Sequence, residues 1–212
     1  MRELCENARR VLFATLTAAT LGVVIGMARG GSLARLAQLE VRLPWLALLA
    51  WLMQVALFVS PLGSVLQPWE PAIYLATVGA VAIVILANRA LPGVALFGIG
   101  LLLNAAVTAA NGGYMPVAEA ALVSVGNTGE LDSLRRQGHV QKATLMRPES
   151  PLWVLGDVLP VPPLGKVYSL GDVVAALGVV LVITQAMGSR PTSAGTCTTD
   201  PGSAERRPPA RS

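Results

Sequence analysis

Charge is what this sequence has least of. Of its 212 residues only 13% are Asp, Glu, Lys or Arg, while 53% are hydrophobic. A soluble domain ordinarily carries about a quarter charged residues, and so little polar surface would not cover an apolar core of this size. Aromatics are scarce too, at 5%. The apolar excess is therefore Ala, Leu, Val and Gly, the mix of helices packed closely in lipid. Histidine occurs once and cysteine twice. Cys5 and Cys197 stand near opposite ends of the chain. They offer no metal-ligand spacing and no disulfide framework, so no metal and no cofactor is expected. Cys5 follows no apolar signal segment and is not a lipoprotein cysteine. The formal net charge of +4 would suit nucleic acid only with a basic face interleaved with aromatics, and there is none. Membrane lipid is the expected partner instead.

What is present is a set of apolar runs, near residues 11–28, 43–59, 72–87, 91–110 and 169–187. A helical span needs about 20 apolar residues, with roughly 17 the usual lower limit. The third and fifth runs lean on their flanks: Trp69 and Tyr74 for the headgroup belt, Asn88 and Arg89 snorkelling at the other end. The reading is an all-α membrane protein of about five transmembrane helices. An interfacial helix is expected between the first two runs, where Leu33, Leu36 and Ala37 recur beside Arg35 and Arg42. Residues 112–167 read as a long outer loop, with one short helix around 117–125. Residues 1–10 form an N-terminal extension, residues 11–188 the membrane domain, and residues 189–212 a disordered tail too polar to bury. A cleaved signal peptide at the first run is not expected, because no small-residue cleavage site leads into a soluble chain.

Basic residues orient such a protein. Arg29, Arg35, Arg42, Arg89 and the tail arginines fall on one side, opposed by Arg2, Arg9 and Arg10. Long loops count little, so the expected topology is N-terminus outside, long loop outside and C-terminus cytoplasmic, in a bacterial plasma membrane. Translation beginning near Val11 would remove the opposing arginines.

Several patterns have room for chemistry. Asn104, Thr108 and Asn111 share one face of the fourth run, expected to turn inward toward Gln54 and Gln185. They read as interhelical hydrogen bonding, or as the lining of a substrate path. Gly22, Gly26 and Gly30 give the first run a small-residue face for packing within the chain. In Asn111-Gly112-Gly113-Tyr114-Met115-Pro116-Val117 the glycines cap a helix and leave bare backbone that a ligand could approach.

Ser169 and Asp172 form a capping box at the start of the last run. Asp157, fifteen residues earlier, could fold back beside Asp172 across a Pro-rich return, so that two carboxyls share a proton as general acid and base. His139, alone, is a solvated loop residue or a proton carrier if it reaches Asp157. The candidate catalytic pair is thus Asp157 and Asp172. The candidate binding residues are Asn111, Gly112, Gly113, His139, Asn104 and Gln54.

At these motifs the sequence resembles an uncharacterised bacterial multi-pass membrane-protein family, catalogued as a domain of unknown function. The likeness is carried by Asn111-Gly112-Gly113-Tyr114-Met115-Pro116-Val117, by Leu155-Gly156-Asp157-Val158-Leu159-Pro160 and by Ser169-Leu170-Gly171-Asp172-Val173. It also fits Arg29-Gly30-Gly31, Gln54 and His139, and it implies no activity. A fainter resemblance joins Tyr168–Gly178 to the last helix of lipoprotein signal peptidase, with Asp172 at the matching aspartate. The Asn-x-x-Asp-Arg motif of those proteases is missing, since Val158 follows Asp157. The functional expectation is a membrane module binding a lipid, an envelope component or a partner protein through its outer loop. An aspartyl hydrolase and a small transporter component are the alternatives.

Overall fold

The computed structural model describes residues 16–58, 65, 69–140 and 142–188. The N-terminal extension with Arg2, Arg9 and Arg10, the C-terminal tail and both cysteines lie outside them. The first four apolar segments form helices: α1 (Leu16–Ala28), α3 (Pro44–Phe58), α4 (Glu70–Ala87) and α5 (Val94–Ala110). A single turn, α2 (Leu33–Leu36), stands where the interfacial helix was expected. The breaks follow local chemistry. Pro44 opens α3, where its missing N–H costs nothing. Gly93, at φ +92, turns the chain into α5.

The region 112–167 is not a loop, and this overturns the all-α reading. After α5 the chain makes β1 (Met115–Val117), α6 (Glu119–Ser124), α7 (Thr128–Gln137), β2 (His139–Val140), β3 (Ala143–Leu145), β4 (Asp157–Val161) and β5 (Lys166–Ser169). The strands form one five-stranded sheet in the order β2-β3-β1-β4-β5. The central strand β1 runs parallel to β3 and β4, while the β2–β3 and β4–β5 pairs are antiparallel. A small core seals α6 and α7 to this sheet: Val117, Leu122, Leu131 and Leu134 are buried, with Val140, Ala143, Leu145 and Val167 packed around them. Each fully buried leucine contributes about 1.5–3 kcal/mol, enough to hold a small layer together. The protein is a mixed α/β structure, an apolar helical part carrying an α/β cap.

From β5 the chain passes directly into α8 (Leu170–Met187). Among the described residues α8 alone is long and apolar enough to cross a membrane. The stretches Leu16–Ala28, Pro44–Ala56, Leu75–Ala87 and Val94–Ala110 are shorter apolar helices. By length and composition, then, the described residues hold one helix that meets the requirement for a span, and an all-α protein of five spanning helices is not what the structure shows.

α8 is the axis of the helical part. Against α5 it packs antiparallel through glycines. A β-carbon on Gly100 would stand 2.5 Å from the Gly171 carbonyl oxygen, and one on Gly93 2.4 Å from the Gly178 carbonyl oxygen. Against α1 it packs parallel, with Gly22 on Ile183 and Gly26 on Met187. Gly30 instead takes φ +77 in the following turn, with open space around it. At the lower end, Ser32 N–H and the Arg35 guanidinium both donate to the Met187 carbonyl, each at 3.0 Å, where a cation also suits the helix dipole. Asn88 does not snorkel. It is buried, its side chain accepting from Arg42 N–H and donating to the Arg42 and Val84 carbonyls, each at 2.8 Å.

Candidate functional site

The cap and the helical part meet where β5 becomes α8. Ser169, the N-cap, accepts at its Oγ from Asp172 N–H at 3.0 Å, and Asp172 Oδ2 accepts from Ser169 N–H at 3.0 Å. The capping box expected from the sequence is therefore present. Its third member comes from α5. Asn104 Nδ2 donates to Asp172 Oδ1 at 2.7 Å, and Ser169 Oγ donates to Asn104 Oδ1 at 2.8 Å. The three side chains close a ring in which Ser169 has no exposed surface. Gly171 makes the ring possible, because a β-carbon there would stand 1.9 Å from Asn104 Oδ1.

Asp157 begins β4, where its backbone is in register with both Val117 and Ser169. Its carbonyl accepts from Ala118 N–H. Burial pushes its carboxyl up to about 8, and the nearby Asp172 and Glu130 carboxylates push in the same direction. Asp157 is thus mostly protonated at neutral pH. On β5, burial and the Asp172 charge raise the Tyr168 phenol. Pairing of β4 with β5 sets Asp157 in register with Ser169, three residues before Asp172, and the Asp172 charge acts on the Asp157 carboxyl. Asp172, however, has both oxygens committed to protein donors.

The other candidates lie elsewhere. Asn111 ends α5 and donates to the Val107 and Pro151 carbonyls, each at 2.9 Å, tying the helix to the 151 turn. Gly112 and Gly113 take φ +68 and +95, and Gly113 N–H caps onto the Thr108 carbonyl. His139 is exposed on β2 and stacks at a tilt on Tyr114, 4.8 Å between ring centroids. Two strands separate β2 from β4, so His139 does not join Asp157. Gln54 does not turn toward Asn104. It donates to the buried Thr77, across the α3–α4 contact. Gln185 is exposed. Among the described residues no group of three or more His, Cys, Asp or Glu could hold a metal.

Two features escaped the sequence. One is the glycine set Gly93, Gly100, Gly171 and Gly178, whose matched spacing on two segments was the available signal. The other is a shallow cleft lined by Ala118, Glu119, Met146, Arg147, Pro148 and Trp153. Glu119 in this cleft is paired with Arg135. No spacing announces the cleft, because its walls come from three separate segments.

Apolar helices packed by glycine, one of them long and apolar enough to cross a membrane, thus carry a ring-capped α/β layer at one end. The chain belongs to the family described as Family of unknown function (DUF5317), whose model matches residues 38–184. No curated protein and no solved structure matches it.

Proposed function

We propose that the protein is a membrane-held binding module, not an enzyme, whose cap cleft takes an amphiphilic ligand from the cell envelope. The observation that carries this reading is the contrast between the two polar sites of the cap. At the ring, both Asp172 oxygens are occupied and Ser169 is sealed, which leaves a substrate no approach to that carboxylate. At the cleft, the exposed Arg147 and Trp153 stand open beside Met146 and Pro148. A guanidinium suits an anionic head, and the indole and thioether suit an apolar body.

The membrane part of the proposal rests on exposure. Leu48, Leu75 and Leu102 are 55%, 72% and 70% exposed on their helices, and helices that are apolar all round belong in a buried core or in lipid. In this reading α8 crosses the bilayer of a bacterial plasma membrane as part of a multi-pass protein, with α1 and α5 in the same layer. Arg29, Arg35, Arg42 and Arg89 all gather at the end of the helices where Arg35 meets Met187 and Arg42 meets Asn88. The positive-inside rule makes that end cytoplasmic and the cap extracytoplasmic. Because α1 runs parallel to α8, the Leu16 end of α1 then faces outside and the Met187 end of α8 faces inside.

The test is mass spectrometry of amphiphiles that copurify with the detergent-extracted chain, wild type against Arg147→Ala. Loss of one charge-assisted hydrogen bond should deplete the ligand about tenfold or more. Equal recovery of every amphiphile class in the two preparations would end the proposal. The hydrolase alternative has one observation behind it, the Asp157 carboxyl raised by burial and, secondarily, by the Asp172 charge. The transporter alternative has less, since Gln54 and Asn104 belong to separate contacts.

A further inference from the structure

Between β3 and β4 the chain makes a short 3-10 turn, Trp153–Leu155. Apolar side chains here face out: Leu152 is 48% exposed, Trp153 55% and Val154 50%. Leu152 takes φ +55, a left-handed conformation unfavourable for leucine, yet the turn keeps it. The turn is also rigidly placed. Asn111 at the end of α5 holds the Pro151 carbonyl. Gly156 packs so closely under β1 that a β-carbon there would stand 2.6 Å from the Pro116 carbonyl oxygen. The turn touches both α5 and α8. It therefore sits beside the ends of these two helices, and α8 also exposes Leu170, Val173 and Leu177.

We propose that the Leu152–Val154 turn is a membrane-docking knuckle that rests in the interfacial layer of the phospholipid bilayer on the cap side. This rests on the membrane-held reading above and deepens it. Tryptophan is suited to the headgroup level, where its ring is apolar and its N–H stays wet. Its neighbours are apolar and its height is set by the ends of α5 and α8, so the occupant that matches is the same lipid that surrounds those helices. Trp153 also lines the Arg147 cleft. The cleft consequently opens at the lipid surface, and its ligand is a membrane amphiphile that enters sideways from the leaflet rather than from water.

The experiment uses the full chain in phosphatidylcholine–phosphatidylglycerol vesicles. Trp45→Phe, Trp51→Phe and Trp69→Phe together leave Trp153 as the only indole. Lipids brominated on the upper acyl carbons should cut its emission about twofold, as expected of an interfacial indole, with little quenching by aqueous acrylamide. A companion variant keeps only Trp51, an exposed residue of α3. Lipid quenching of Trp51 with only acrylamide quenching of Trp153 overturns the knuckle and leaves the membrane reading standing. Lipid quenching of neither indole overturns both. Should the triple variant not fold, the emission difference between wild type and Trp153→Phe is read instead. A lipid-quenched difference supports the knuckle, and an acrylamide-quenched one overturns it.

Discussion

Gly171 lies on Asn104 with no room for a side chain: a β-carbon would meet Asn104 Oδ1 at 1.9 Å. Gly100 is equally confined, by the Gly171 carbonyl and Ala175 N, each 2.5 Å from its β-carbon position. Gly171→Ala and Gly100→Ala should each destabilise the protein by about 1–3 kcal/mol, because α5 and α8 must separate. Gly129, on α7, has nothing within 4 Å, so Gly129→Ala should be neutral or gain up to about 1 kcal/mol. Thermal unfolding in detergent micelles checks all three. An unchanged midpoint for Gly171→Ala would mean that the two helices do not meet there.

Ser169→Ala removes the acceptor for Asp172 N–H and the donor to Asn104 Oδ1 together. The cap alone is worth about 1 kcal/mol, and a buried amide oxygen left unpaired adds about 1–3 kcal/mol. Ser169→Thr keeps both bonds and should recover most of the loss. Equilibrium denaturation of the three proteins reads the difference. Equal stability of all three would refute the ring.

The pH dependence follows from Asp157. Its carboxyl is held at about 8 in the fold against 3.8 ordinarily. Between those values the unfolded chain releases a proton that the native protein keeps. Stability should therefore fall as pH rises from about 4 to about 8 and level off above that, by proton linkage. Asp157→Asn should remove this slope and raise the unfolding temperature at pH 8 more than at pH 5. Parallel slopes for variant and wild type would place the titration elsewhere.

Asn88 serves two backbone groups of Arg42 at once. Asn88→Ala strands them and should cost about 1–3 kcal/mol. Asn88→Asp can still accept from Arg42 N–H but cannot donate to the Arg42 and Val84 carbonyls, so it should recover little. Hydrogen exchange of the Arg42 amide reports the local effect directly. Faster exchange is expected in Asn88→Ala than in Asn88→Asp.

Some of this was legible from residue order. Ser169 and Asp172 are three residues apart, and a capping box needs nothing beyond that spacing. The short helix around 117–125 emerges as Glu119–Ser124 because its apolar spacing is local. The sheet was illegible for the opposite reason. Its strands run two to five residues, too short for alternation to register, and Pro116 and Pro160 argue locally against strands. The partner of Ser169 is 65 residues away on α5, and no periodicity connects Asn104 to it. Inward-facing amides often pair, which points Gln54 toward Asn104, whereas in the fold Gln54 donates to Thr77 on the adjacent helix.

Composition and short-range spacing by themselves determined that this chain is built on apolar helices poor in charge, and where α8 begins, since burial preference and capping act within a few residues. Tertiary structure alone decided that the stretch between α5 and α8 closes into a sheet, that Asp157 lies in register with Ser169, and that Trp153 and Arg147 share a cleft. Those outcomes depend on parallel strand pairing and glycine contacts between distant segments, whose energies exist only once the segments have met.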